Sequence, residues 1–335
     1  MNLNNYKLTK KAYIILFVTI VVLYTAVVSF ADWNGWGNNK DATIIEIPKG
    51  ASITDTTKII KKNKIISSQT LFRYYLKKNN ADKKIRPGNF ELQKNMSYKE
   101  ILTIISGKPL ETGIKITIPE GYENRQIADL LQEKEICNAN DFLYSIENDK
   151  FEYSFIYDIN RTENRLEGYL FPATYTFEKD TTPHRVADKM LSTFDKNWGD
   201  EYTNRANELG YSIDKLVSLA SIVEREAGGD SDRNKVASVF WNRLNKPMRL
   251  ESCATVQFIL KERKPVLSYA DTHVESTYNT YQNDGLPPGP IANPGIKSIE
   301  ATLYPAKTDY YFFYYNGSQH IFSQTYAQHQ KAQGK

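Results

Sequence analysis

The chain has 335 residues, 41% hydrophobic and 24% charged, which suits about two globular domains and excludes wholesale disorder. Its net charge of +4, from 43 basic and 39 acidic residues, makes no electrostatic case for nucleic acid. Two cysteines, Cys137 and Cys253, and four scattered histidines match no zinc spacing or paired-ligand motif, so no metal or other cofactor is expected.

Ala12 to Ala31 is a run of twenty uncharged residues, mostly Ile, Val, Leu, Phe and Ala. As a helix it spans about 30 Å, the thickness of a bilayer core. Lys7, Lys10 and Lys11 precede it, and Asp32 is the first charge after it. The positive-inside bias therefore predicts a cytoplasmic N-terminus over 1–11 and an extracytoplasmic remainder. Trp33 and Trp36 suit the far interface. A cleaved signal peptide, ending at Ser29-Phe30-Ala31, is the alternative, but its apolar region normally runs about 7–15 residues. The length favours a single-pass anchor over 12–31.

Residues 32–41, DWNGWGNNKD, read as a tether. An internal repeat follows. Residues 45–66 align without gaps on 116–137 at a constant offset of 71, with Ile-x-Ile-Pro-x-Gly at both Ile45–Gly50 and Ile116–Gly121. Each copy reads as a strand, a Pro-Gly turn and an amphipathic helix. Leu71-Phe72 matches Phe142-Leu143 at the same offset, and Gly88-Asn89-Phe90 and Gly168-Tyr169-Leu170 each suggest a later strand. Two copies are too few for a solenoid, so a duplicated α/β unit is expected. The first copy closes with a helix over Ser97–Ser106.

Further helices are predicted over 185–207, 212–228 and 235–244. Residues 285–295, GLPPGPIANPG, contain four prolines and must form a stiff loop. Ser298 can cap a helix running to Leu303, and Asn316-Gly317 signals a hairpin between Tyr310–Tyr315 and His320–Ser323. The fold class is α+β.

The segment SIDKLVSLASIVEREAG, 212–228, carries the most informative pattern. At about 100° per residue, Leu216, Leu219, Ala220, Val223 and Ala227 share an arc, and Asp214, Ser218, Ser221 and Arg225 form a narrow polar face. Glu224 falls inside the apolar surface, and Glu226 lies on its opposite flank. A carboxyl group among apolar side chains favours the protonated form that a general acid needs. A structural ion pair would place an acid there equally well, and periodicity does not choose. The chain has no G-x-S-x-G elbow and no P-loop.

The motifs SLASIVEREAG, VASVFWNRL, YNTYQNDGLPPGPIANPG, SIEATLYPAK and LEGYLFPATYTF, in their combination, resemble the bacterial endolytic murein transglycosylases of the MltG (YceG-like) family. The resemblance covers the chain from the anchor to the C-terminus. It implies a membrane anchor, a small LysM-like α/β module over 42–115 and a mixed α+β catalytic domain over 116–335. It implies peptidoglycan glycan strands as substrate, with peptidoglycan synthases as membrane partners and a role in ending nascent strands.

The family's acid, carried onto this chain, is Glu224, with Glu226 in a supporting role. It would protonate the oxygen of a MurNAc-β-1,4-GlcNAc bond, then take the proton of the MurNAc C6 hydroxyl as that oxygen closes onto C1. The product is a 1,6-anhydroMurNAc end and no water is consumed. Such an intramolecular attack needs no second carboxylate. Candidate substrate contacts are Asn242, Arg243, Tyr278, Asn279 and Thr280, through amide and hydroxyl groups and a stacking ring. Cys253-Ala254 and Ala173 stand where many members carry Asp-Pro and an acid or amide, so no acidic role is carried to those places. Glu167 and Glu251 are nearby acids without an assigned role. A non-catalytic anchored scaffold and a water-using muramidase are the competing readings.

Overall fold

The structure, a computed structural model, describes residues 10–35, 41–94, 96–110, 113–157 and 159–334. The chain divides into two compact units, Met1–Thr112 and Gly113–Lys335. The architecture is mixed α+β, with three separate two-stranded antiparallel sheets among the described residues.

The first unit opens with α1 (Lys10–Asn34). Its stretch Tyr13–Asn34, with an 18-residue window of mean hydropathy 2.7 and no buried residue, is long and apolar enough to cross a membrane. The helix runs through Asp32, Trp33 and Asn34, where the sequence suggested a tether. The reason is local. The Asp32 carboxylate accepts hydrogen bonds from the backbone N–H and Oγ of Ser67 and from the N–H of Ser68, and Trp33 packs edge-on against Tyr75. Lys7, Trp36 and the rest of the expected tether through residue 40 lie outside the described residues.

The remainder of this unit is β1 (Ala42–Ile47), α2 (Ile53–Lys62), α3 (Gln69–Lys78), β2 (Gly88–Gln93) and α4 (Tyr98–Ser106). Strand β1 pairs antiparallel with β2, with Ile45 opposite Phe90. Helices α2 and α4 begin with capping boxes, Ser52 with Asp55 and Ser97 with Glu100, which satisfy N–H groups that a helix start leaves unpaired. Ile45, Ile47, Ile60, Phe72, Leu76, Phe90 and Ile101 close a core of their own.

The second unit starts with the same plan: β3 (Ile114–Thr117), α5 (Asn124–Glu133), α6 (Ala139–Asn148), α7 (Ser154–Tyr157) and β4 (Thr174–Phe177). The repeat extends to backbone conformation. Gly50 and Gly121 both have positive φ, +83° and +74°, as do Lys64 and Glu135, 58° and 53°, each pair 71 residues apart. The copies diverge at the returning strand. It is Thr174–Phe177 that pairs with β3, and Gly168-Tyr169-Leu170, expected as a strand, forms a turn ahead of it. Leu166, Tyr169 and Leu170 are fully buried there, so core packing fixes the segment without a ladder.

The rest is mainly helical: α8 (Pro183–Leu209), α9 (Ile213–Glu226), α10 (Asp230–Leu244), α11 (Cys253–Leu260), α12 (Tyr269–Thr272) and α13 (Ile296–Leu303), then β5 (Phe312–Tyr315), β6 (His320–Ser323) and α14 (Tyr326–Ala332). Two expectations change. Helix α8 is interrupted at Gly199, whose φ of 58° breaks the helical path. Ser298 is not a cap: α13 starts earlier, behind Gly295, and Ser298 is buried within its first turn. The expected hairpin forms, joined by Asn316–Gln319, with the Asn316 side chain accepting from the N–H groups of Ser318 and Gln319.

Gly168 joins the buried turn to the proline loop. Its φ is +92°, and a Cβ there would stand 2.5 Å from Pro290 Cβ and 2.9 Å from Val217 Cγ1. Gly168→Ala is expected to lower stability by roughly 3 kcal/mol, read as a fall in urea midpoint at unchanged m-value. An unchanged midpoint would show that the turn has room to relax.

Candidate active site

Helix α9 is buried on nearly every side: all eight residues from Leu216 to Val223 are inaccessible. Its apolar arc packs into the core, and its narrow polar face is covered as well. Ser221 Oγ donates to the Ser218 carbonyl and accepts from the N–H of Ile291 in the proline loop. Asp214 binds Arg161 through both oxygens at 2.5 Å and accepts from the Tyr169 hydroxyl. Arg225 lies 3.4 Å from Glu123. Asp214, Ser221 and Arg225 of the narrow polar face are thus engaged in internal ties.

The two acids of the motif leave the helix in different directions. Glu224 Oε2 accepts from the N–H of Gly295 at 3.0 Å, and Oε1 lies 3.7 Å from Arg233. Its side chain is 8% exposed, and it anchors the end of the proline loop. Beside it, burial first and the Glu224 charge second push the Glu120 carboxyl above its ordinary range. A Cβ at Gly295 would stand 2.0 Å from Glu120 Oε1, so a larger residue there requires the Glu120 side chain to move.

Glu226, the last residue of α9, lines a cleft of about 570 Å³. Ser252 Oγ donates to Glu226 Oε1 at 2.6 Å, and the N–H of Ala254 donates to the same oxygen at 3.2 Å. Among the described residues no group hydrogen-bonds Oε2, which leaves it for a proton or a ligand. Tyr281, Cys253, Arg243 and His320 share this lining with aromatic residues of the hairpin, Phe312 to Tyr315. Cys253 Sγ lies 3.1 Å from the Tyr281 hydroxyl, and both cysteines are free thiols. Burial pushes the Cys137 thiol up to about 11, which makes it a packed side chain and not a reactive one.

Of the predicted contacts, only Arg243 and Glu226 line this cleft. Asn242 Nδ2 donates to the carbonyls of Thr308 and Tyr310, and Arg243 donates to those of Tyr311, Arg249 and Leu250. Together they clamp the approach to β5 onto α10. Asn279 is fully buried, with Nδ2 on the Thr272 and Val274 carbonyls and Oδ1 on the Tyr281 N–H. Thr280 Oγ1 accepts from the N–H of Ser252 and meets Thr255 Oγ1. These two shape the loop that presents Ser252 to Glu226. Tyr278 lines a different cavity. Ser252, Tyr281 and the hairpin aromatics were not foreseen as site residues, although Tyr281 stands within a quoted motif.

Glu167 is 3% exposed, and its carboxyl accepts from the Asn124 N–H and from Asn293 Nδ2. Burial outweighs those bonds and pushes its pKa up to about 8. The folded state therefore holds a proton that the unfolded chain releases near 4.5. Stability from this group is present below that value and declines as pH rises towards 8. Glu167→Gln should flatten the fall in urea midpoint between pH 5 and 8; an unchanged pH profile would contradict the assignment.

The chain matches the YceG-like family over residues 45–335. It is 33% identical over 309 residues to the endolytic murein transglycosylase of Bacillus subtilis (strain 168), covering 89% of this chain and 86% of that protein. The protein of that name from Streptococcus pneumoniae serotype 2 (strain D39 / NCTC 7466) is 30% identical over 87% of this chain, which spans 59% of the streptococcal one. A crystal structure of a yceG-like protein from Listeria monocytogenes superposes with a TM-score of 0.60 at 36% identity, covering 87% of this chain and 98% of that one. The motif set, the buried α9 and the extent of these matches agree: the chain belongs to the YceG-like family.

Proposed function

We propose that this protein is an endolytic murein transglycosylase whose general acid is Glu226. The observation that carries the assignment is the carboxyl group of Glu226 in an open cleft, held through one oxygen by Ser252 and Ala254. The family resemblance had pointed to Glu224, but that side chain is tied to Gly295 and Arg233 and does not line the cleft.

In this reading protonated Glu226 gives the proton on Oε2 to the glycosidic oxygen between MurNAc and GlcNAc as the bond to C1 breaks. The resulting carboxylate keeps two donors on Oε1, which stabilise the charge it has gained. It then accepts the proton of the MurNAc C6 hydroxyl while that oxygen bonds to C1. The acid is regenerated, and the products are a GlcNAc end and a 1,6-anhydroMurNAc end. The aromatic hairpin would supply the stacking surface for sugar rings.

Glu251 favours a second reading, because it is the other acid lining the cleft. A hydrolase would use it to activate water. Its position 3.5 Å from Arg243 Nη1 instead fits a charge partner for that buried guanidinium. The N-terminal helix would place the second unit outside the cytoplasmic membrane, next to glycan-polymerising synthases. The first unit would act as a LysM-like spacer or glycan contact.

The test is mass spectrometry of peptidoglycan digested by the detergent-solubilised full chain. Anhydro-ended muropeptides are expected from the parent, and Glu226→Gln should reduce them by about 10²–10⁴-fold. Glu224→Gln, which keeps an oxygen for the Gly295 N–H, and Glu251→Gln should stay within about tenfold of the parent. Reducing ends, or loss with Glu251→Gln equal to that with Glu226→Gln, would establish hydrolysis instead. Full loss with Glu224→Gln and survival with Glu226→Gln would return the acid to Glu224.

A further inference from the structure

Helix α1 runs into the first unit without a loose joint. Asp32 follows Ala31, the last residue of the uncharged run, and one residue of helix rises about 1.5 Å. Asp32 is 8% exposed, and its carboxylate accepts from the N–H and Oγ of Ser67 and from the N–H of Ser68, the N-cap of α3. Trp33 packs against Tyr75 of α3 and Tyr98 of α4, with ring centroids 5.3 and 5.5 Å away. Charge-assisted hydrogen bonds and two ring contacts therefore hold the end of α1 to the turn between α2 and α3. The polar layer on each face of a bilayer core is about 5–7 Å thick. With α1 spanning the core, Asp32 and the turn bound to it fall within that layer.

The turn is ordered and basic. Lys64 has a φ of 58°, its N–H donates to the Lys61 carbonyl, and Ile65 and Ile66 are buried behind it. Lys61, Lys62 and Lys64 are exposed. The Lys61 ammonium donates to the carbonyl of Ser67, the residue that also binds Asp32, which places this lysine beside the end of α1. Residues 56–81 contain seven basic residues and no acid.

Lysines on an exposed turn are ordinarily a solvated face. Two observations set these apart. The first is their attachment to the end of the apolar helix. The second is the segregation of charge along the chain: residues 41–112 hold 14 Lys and Arg against 7 Asp and Glu, whereas 113–335 hold 25 against 31. A cationic excess confined to the unit joined to α1 complements a negatively charged bilayer surface. Neutral sugar rings would be met by aromatic and amide groups, and this turn presents ammonium groups instead.

We infer that the α2–α3 turn is a lipid-headgroup site, at which Lys61, Lys62 and Lys64 bind the phosphates of anionic lipids in the leaflet from which α1 emerges. The first unit is then seated on the bilayer in a fixed orientation. The inference rests on α1 as the membrane span and is independent of the Glu226 assignment, which stands or falls on its own muropeptide test.

The test is amine acetylation of the full chain in nanodiscs, followed residue by residue by mass spectrometry. Lys61, Lys62 and Lys64 should react about fivefold more slowly in discs containing phosphatidylglycerol than in discs of phosphatidylcholine alone. Molar salt, which shortens the screening length to about 3 Å, should abolish the difference. Equal rates in the two kinds of disc would overturn the inference, as would a difference that survives molar salt. Equal slowing at lysines of both units would reduce the effect to the general potential of the disc and overturn it too. Protection that needs added glycan fragments and is indifferent to the lipid would give this face to the glycan instead.

Discussion

The second unit is organised around the near-complete burial of α9. Each large apolar side chain of that helix, such as Leu216, Leu219 or Ile222, contributes roughly 1.5–3 kcal/mol by leaving water. That gain is available only if every neighbouring surface fits, so α8, α10, α11 and α13 are placed by contact with one helix. Burial also makes an unpaired polar group on α9 costly, which explains the ties to Arg161, Tyr169, Ile291 and Gly295. The helix is accessible only at its two ends, Ile213–Lys215 and the last turn. Ala227 is extended, and Glu226 is delivered to the cleft edge by a rigid element.

Residues two apart on a helix point about 200° from each other. Glu224 and Glu226 therefore cannot share a role, and each takes the chemistry of its side. One meets a backbone N–H and a buried guanidinium and holds a loop closed. The other meets a serine hydroxyl and an N–H on one oxygen and keeps the second available. Many of the remaining motif residues serve this delivery at one remove. Asn279 fixes the loop, Thr280 orients Ser252, and Asn242 with Arg243 holds the strand whose aromatics form the opposite wall. A motif defined by chemistry-bearing residue types is here largely a motif of backbone ties.

The sequence showed the duplicated strand-turn-helix unit clearly, because an identical spacing of apolar residues, Pro and Gly can be compared along the chain. The helices α9 and α10 were legible from periodicity. What periodicity lacks is the identity of the surface that each helix face meets. For that reason the polar face of Ser218 and Ser221 could be drawn from the sequence, but not that both are buried and that Ser221 meets the proline loop. Ser298 read as a cap because a cap residue is recognised locally, whereas α13 starts where Glu224 fixes Gly295. The choice between Glu224 and Glu226 was equally hidden, since both lie on flanks of the same apolar surface and only the fold shows which flank opens onto a cleft. Asn124 and Glu167, 43 residues apart, come together through the insertion that separates the second copy from the first.

The most direct test of the assignment is the structure of the Glu226→Gln protein bound to a peptidoglycan glycan fragment. The account predicts a glycosidic oxygen between MurNAc and GlcNAc within hydrogen-bond reach of the residue 226 side chain, with Glu224 still accepting from Gly295. A glycosidic oxygen seated against Glu224, with that side chain released from the loop, would contradict it.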